Sequence, residues 1–302
     1  MKKFLGIDIG GTNVKMAAVN RDGKIIDRRK FPTSELSSKG FVPSFLDVVD
    51  RYLSDHTDIK KIGVGVPGML SKNRKTTLEV PAIPQLNGVD LHSSLTRRFQ
   101  NKKFYLENDA NSAALGEYHF AEQENMPETF LFITLGTGVG GAAIINKTIF
   151  RGGDGNGMEL GHTLSKNGKR LEQNIGKAGI MGIAEEKLRN YTGDTEIKCL
   201  ENMSPKELST FAAEGDPFAA DLFSDVGLFL GESLVSTIRV LDIKTILIGG
   251  GVSAVFDHIK DAMLGPMKEY LTPYYMEKVD IHRAVLGNRA GIVGAASLCF
   301  MD

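Results

Sequence analysis

The chain has 302 residues, 42% of them hydrophobic and 24% charged, with a formal net charge of −1. That length suits two domains rather than one core, and a charge near zero offers no global field for nucleic acid or an anionic membrane surface. No apolar stretch approaches the roughly 18 residues that span a bilayer, and the opening MKKFLGIDIGG stops resembling a signal peptide where Asp8 interrupts its apolar run. The expectation is a cytoplasmic globular protein. Cys199 and Cys299 lie far apart without metal-ligand spacing. Two buried free thiols are expected, with a single disulfide left open.

In chain order, Phe4 to Val19, FLGIDIGGTNVKMAAV, predicts two strands joined by the turn Gly10-Gly11-Thr12-Asn13. Adjacent glycines admit backbone conformations closed to other residues and let a ligand come close. The turn's N–H groups and the Thr12 hydroxyl suit a phosphate. Asp8, at the strand end, suits a magnesium ion or its waters. The same stretch also reads as an ordinary hairpin with an Asp facing solvent. A second copy favours the ligand reading: Phe130 to Ile145, FLFITLGTGVGGAAII, repeats strand, turn (Gly136-Thr137-Gly138) and returning strand. Two related halves facing one ligand are expected.

Ile25 to Phe31 predicts a third strand, and the apolar spacing of Phe41 to Leu53 predicts a helix. Ile62 to Val66 predicts a buried strand running into Pro67-Gly68, either a plain turn or a ligand-facing strand end. Residues 71–90 are loop-rich, Leu91 to Phe99 is helical, and Phe104 to Leu106 is a strand. That strand enters Asn108-Asp109 and a small-residue helix. Asp109 there reads as an N-cap or as a general base favoured in its ionised form by the helix dipole. Asn108 ahead of it and the small residues behind favour the base.

Gly136, Gly138 and Gly141 formally match G-x-G-x-x-G, but Ala142 to Phe150 predicts a strand where a dinucleotide fold needs a helix. There is no P-loop run either. After the glycine-rich loop 151–158, Glu159 and His162 stand three apart and would share a helix face. They read as a polar ligand contact, a surface pair or a metal site, and a single E-x-x-H is too little for a di-iron bundle. Glu172 opens a helix expected over Leu171 to Arg189. Ser204-Pro205-Lys206-Glu207 predicts a capping box, and Asp216-Pro217 starts a long helix to Leu241. Ile246 to Ile248 predicts a strand that meets Gly249-Gly250-Gly251 and a helix from about Ala254, a place for a nucleotide against backbone. Ala290 to Phe300 predicts a small-residue helix packing back on the first domain.

The order DIGGT (8–12), NDAN (108–111), LGTGVGG (135–141), ELGH (159–162) and IGGGV (248–252) resembles the ROK family of sugar kinases over nearly the whole chain. The resemblance implies an α/β, two-domain actin/hexokinase-like (ribonuclease H-like) ATPase fold with an interdomain cleft. Its domains would be 1–107 plus 288–302, and 108–287. It implies phosphoryl transfer from ATP, with Mg2+, to a hexose or N-acetylhexosamine hydroxyl, the 6-OH favoured, by a homodimer without nucleic-acid or membrane partners. Asp109 would be the base. Gly68, Asn108, Asp109, Glu159, His162 and Glu172 would bind the sugar. Asp8, Gly10, Gly11, Thr12, Asn13, Lys15, Thr137, Gly138, Gly249, Gly250 and Gly251 would bind the nucleotide, with Asp8 holding magnesium through water.

The chain departs from the family at 165–172. SKNGKRLE replaces a cysteine-rich zinc segment, so no zinc is expected. His162 would then be held another way, and the chain stands nearer to zinc-free members, some of which use polyphosphate as donor. The family's sugar-responsive repressors carry a DNA-binding motif ahead of the first turn, for which a motif starting at Phe4 leaves no room. A catalytically silent sugar-binding protein is the remaining alternative, and the presence of Asp8, Thr12, Asp109 and Thr137 argues against it.

Overall fold

The computed structural model describes residues 2–121, 126–197, 199, 201, 203–252 and 255–300. The chain divides into two compact units, Met1–Met126 with Lys147–Met158 and Asn288–Asp302, and Pro127–Asn146 with Glu159–Gly287.

The first unit opens with the strands β1 (Lys3–Ile9), β2 (Asn13–Asn20) and β3 (Ile25–Pro32). The helices α1 (Thr33–Ser38) and α2 (Phe41–Asp55) follow, then β4 (Lys61–Val66), α3 (Leu91–Arg98), β5 (Lys103–Asn108) and α4 (Asp109–Phe120). The sheet order is β3-β2-β1-β4-β5. β1 pairs antiparallel with β2 and parallel with β4, and β4 pairs parallel with β5. Central strands buried on both faces read as near-continuous apolar runs, as β4 does in KIGVGV. The 3.6-residue period of α2 turns Phe41, Phe45, Val48, Val49, Tyr52 and Leu53 into the core. Between Ala18 and Val19 the β2–β3 register shifts, and there the Tyr52 hydroxyl accepts from the Ala18 N–H at 2.7 Å. The short α1 has no apolar period of its own and is not legible in the sequence.

The second unit begins with β6 (Phe130–Leu135) and β7 (Val139–Ile145). Past β8 (Thr148–Ile149) come α5 (Leu171–Ile175), α6 (Lys177–Asn190), α7 (Pro205–Ala213) and α8 (Pro217–Leu241). Then β9 (Thr245–Gly250), α9 (Phe256–Tyr270), α10 (Pro273–Met276) and β10 (Asp280–Arg283) lead to α11 (Ala290–Ser297), which belongs to the first unit. The strands β7-β6-β9-β10 lie in that order. This repeats β2-β1-β4-β5 direction for direction: one antiparallel pair, then two parallel pairs. The two copies of the hairpin motif therefore head two sheets of one plan.

Several expectations are corrected. The helix expected over 171–189 is broken at Gly176, whose N–H donates to the Glu172 carbonyl at 2.8 Å. Ser253 and Ala254, where a helix start was expected, lie outside the described residues, and α9 runs from Phe256. The first unit extends past the expected boundary at 107 and takes in α4 and 147–158. α4 is held there by α11, whose backbone lies so close to it that a Cβ on Gly294 would overlap the Ser112 carbonyl, and 147–158 by the bonds of Arg151 to Glu107 and of Asn156 to Leu70. Cys299 is buried, but Cys199 is exposed; both are free thiols. No helix among the described residues is long and apolar enough to cross a membrane.

Candidate active site

In the first unit the candidate residues emerge from the C-terminal ends of three neighbouring strands. The registers Asp8↔Gly65, Gly65↔Glu107 and Val66↔Asn108 bring the ends of β1, β4 and β5 to one edge of the sheet, where open α/β sheets bind ligands. Gly10-Gly11-Thr12-Asn13 follows β1, Pro67-Gly68 follows β4, and Asn108-Asp109 joins β5 to α4.

The first turn closes with the Gly10 N–H donating to the Asn13 carbonyl at 3.0 Å. Neither Gly10 nor Gly11 takes a positive φ, so the conformational reason expected for the glycine pair does not apply. Space is the reason at Gly11, where a Cβ would stand 3.0 Å from the Ala82 methyl. Thr33 braces the turn. Its N–H donates to the Thr12 carbonyl at 3.0 Å and its hydroxyl to the Gly10 carbonyl at 2.6 Å. Thr33 is buried at the start of α1, and nothing in the sequence marked it. Gly11 and Thr12 are exposed. Asp8 faces Lys15 across the β1–β2 ladder, and the Lys15 Nζ donates to Asp8 Oδ2 at 2.8 Å.

Asn108 caps α4: its Oδ1 accepts from the Asn111 N–H at 3.1 Å, while its Nδ2 donates to the Gly68 carbonyl at 3.2 Å. The cap is thus Asn108, and Asp109 occupies the first helical position with Oδ1 accepting from the Ala110 N–H at 2.9 Å. Gly68 has φ +79°, and a Cβ there would strike the Glu79 carbonyl; this turn requires glycine.

The second unit holds its own cluster. The turn after β6 closes with the Gly136 N–H donating to the Gly138 carbonyl at 2.9 Å, and the Lys177 N–H donates to the Thr137 carbonyl at 3.0 Å. Glu172, at the head of α5, accepts at Oε2 from the Val139 N–H at 3.2 Å. A Cβ on Gly138 would overlap that carboxylate, so the glycine of this turn is also what admits Glu172. The glycines after β9 sit beside the same turn: Leu135 pairs with Gly250, and the Gly251 N–H donates to the Leu135 carbonyl at 2.7 Å.

Glu159 and His162 do not share a longer helix. Glu159 precedes a single turn of 3-10 helix, Leu160–His162, with its Oε2 3.8 Å from His162 Nδ1. Burial raises the Glu159 carboxyl above its ordinary value; His162 works against the shift and the Glu172 carboxylate adds to it. The segment 165–172 closes through the Leu164↔Arg170 bridge, and Lys166 Nζ reaches Glu232 Oε1 at 2.6 Å. Among the described residues no group of three or more His, Cys, Asp or Glu side chains could hold a metal ion.

The fold is the α/β actin/hexokinase-like ATPase fold, built here from two sheets of one plan. The ROK family model matches residues 4–301, and the chain belongs to the ROK family. A glucokinase of Thermotoga maritima is 29% identical over 98% of this chain and 96% of its own length. A solved Cytophaga hutchinsonii protein is 38% identical, covers 99% of this chain and 100% of its own, and has a TM-score of 0.91. A ROK family glucokinase from Streptomyces griseus, solved with glucose and AMPPNP, is 27% identical, with coverage of 99% and 100% and a TM-score of 0.83. The chain is an enzyme of the sugar-kinase class.

Proposed function

We propose that this chain transfers the γ-phosphoryl group of ATP to a hydroxyl of a hexose or N-acetylhexosamine, the 6-OH of glucose first among them, with Asp109 as the general base. The observation that carries this reading is the β5–α4 junction. It holds a carboxylate in the first turn of a helix, where the dipole favours the ionised form, at the same sheet edge as the exposed Thr12 turn.

Asp109 takes the proton of the sugar hydroxyl while that oxygen bonds to the γ-phosphorus. The bond from phosphorus to the bridging oxygen breaks, and ADP leaves with the electron pair. Such a transfer is mostly positioning and charge stabilisation. Asn108 and Gly68, joined by a hydrogen bond, are the sugar contacts of the first unit; within the second unit Glu159, His162 and Glu172 are the residues suited to sugar hydroxyls. The turns at Gly10–Asn13 and Thr137-Gly138, with Lys15, hold the phosphates, and Gly249–Gly251 the adenosine.

One half-buried carboxylate, Asp8, with one oxygen already held by Lys15, fits a magnesium ion that keeps most of its waters and takes its other ligands from phosphate. The magnesium would neutralise charge on the β- and γ-phosphates. The lack of cysteine in SKNGKRLE (165–172) supports a sugar site built without zinc, and the family supports a cytoplasmic homodimer.

The test is ADP release with Mg-ATP over a panel of hexoses and N-acetylhexosamines, with a polyphosphate arm. Sugar-dependent ADP release names the acceptor. Turnover in the polyphosphate arm alone moves the donor and leaves the base in place. Silence in both arms defeats the reading.

A further inference from the structure

Glu107 is an acid in the middle of a core. It is the penultimate residue of β5 and its side chain is fully buried, 0% exposed. Its Oε1 accepts from the Asn108 N–H at 2.9 Å and from the Asn111 Nδ2 at 3.1 Å. Its Oε2 accepts from Arg151 Nε at 2.8 Å, and Arg74 Nη2 stands 3.5 Å from Oε1. One carboxylate thus fastens Asn108, just before Asp109, and Asn111, two residues after it, and, on its other side, two guanidinium groups.

Those two arginines come from different loops. Arg151 opens the glycine-rich segment 151–158. Arg74 lies in the hairpin closed by the Leu70↔Thr77 bridge, and its Nη2 donates to the Gly155 carbonyl. Asn156 completes the stitch. Its Oδ1 accepts from the Leu70 N–H and its Nδ2 donates to the Leu70 carbonyl, both at 3.0 Å. The junction, the hairpin and the glycine-rich loop all meet at Glu107, within the first unit.

Stability does not explain the arrangement. A buried ion cluster is weak evidence for stability, because desolvation offsets the attraction. Here Arg74 has φ +56°, and its Nε and Nη1 are buried with no hydrogen-bond partner among the described residues, which carries a further penalty. Burial depresses the Arg74 pKa, and the Arg151 charge adds to that effect against the pull of Glu107.

We propose that Glu107 is a positioning residue that sets the backbone of the Asn108–Asn111 turn and ties it to the 70–77 and 151–158 loops, so that the base and the loops beside it hold one sugar in one geometry. This rests on the reading of Asp109 as the base. A small displacement of a reacting group can cost roughly a hundredfold in rate, and a carboxylate with four donors around it restricts such displacement.

The experiment combines hydrogen exchange on the full chain with steady-state kinetics for wild type, Glu107→Gln, Arg151→Met and the double variant. Faster amide exchange in 151–158 is expected in both single variants. Glu107→Gln should lower kcat/KM for the sugar by roughly a hundredfold, with KM for ATP held within about twofold. Arg151→Met should act mainly on sugar KM, by roughly tenfold, and the two effects should be non-additive. Unchanged exchange in 151–158 overturns the inference whatever the acceptor is. Faster exchange with wild-type sugar KM and kcat per folded molecule also overturns it, leaving a structural brace only. Normal turnover by Asp109→Asn would instead remove the base assignment, and the exchange data would still decide the tie. Should Glu107→Gln fail to fold, Arg151→Met and Arg74→Met are read in the same way.

Discussion

Asp109 and Glu159 are carboxylates in opposite circumstances. Asp109 stands in the first turn of α4 and accepts from the Ala110 N–H. Asp109→Asn keeps a carbonyl oxygen for that bond and removes only the basic function. It should lower kcat by roughly a hundredfold or more while the urea midpoint shifts by no more than about 1 kcal/mol of stability; near-normal turnover would sink the assignment. Glu159 is penalised instead. Its folded-state carboxyl lies above the ordinary 4.5, with burial the largest cause. The contribution of such a group to stability is fully present below the unfolded value and is lost as pH rises through the folded value. Glu159→Gln cannot ionise. Its melting temperature relative to wild type should therefore be higher at about pH 7.5 than at about pH 4, and an equal difference at both would refute the burial argument. Asp109 was legible because a strand running into Asn-Asp and a small-residue helix is a local signal. Glu107 was not: its meaning comes from Arg74 and Arg151, distant in sequence, although an acid inside the apolar run FYLEN was a clue.

The elements that could be read were those with a period and a punctuation mark. Asp216-Pro217 promised the start of α8, and Asp216 Oδ1 does accept from the Ala219 N–H at 2.9 Å. Its Oδ2 does more, accepting from the Thr195 hydroxyl at 2.8 Å and the Glu196 N–H at 3.0 Å. Asp216→Ala should therefore cost about 2 kcal/mol, the upper end for a cap, measured by urea unfolding; a loss below about 0.5 kcal/mol would mean those bonds contribute nothing net. The small residues of α11 were equally informative. A Cβ on Gly294 would overlap the Ser112 carbonyl of α4. Gly294→Ala should destabilise by about 1–3 kcal/mol through overpacking, against the gain in helix propensity that alanine brings elsewhere. What the sequence did not disclose was the break between α5 and α6. There the Gly176 N–H caps back on the Glu172 carbonyl, and the chain turns to leave the Glu172 side chain on the β6–β7 turn.

At the scale of the whole molecule, one strand plan is used twice, and each copy ends its central strand in a glycine-bearing turn. The duplication was visible as two similar stretches; the matching order of the flanking strands was not, because strand pairing is a long-range property. A protein that binds sugar and nucleotide through such edges should be stabilised by each by mass action. A ligand at a hundredfold excess over its Kd adds about 2.7 kcal/mol, which for a chain of this size is roughly a 5 °C rise in melting temperature. The acceptor sugar should give that rise in wild type and in Asp109→Asn alike, since the amide can still hydrogen-bond a hydroxyl. A non-hydrolysable ATP analogue with magnesium should do the same in both, and its effect should fall in Asp8→Asn. If Asp109→Asn loses the sugar shift along with turnover, the carboxylate is needed to bind the acceptor in the ground state, and proton removal is no longer its distinguishing role. If the sugar shift survives while kcat falls, the interaction made by Asp109 belongs to the transition state.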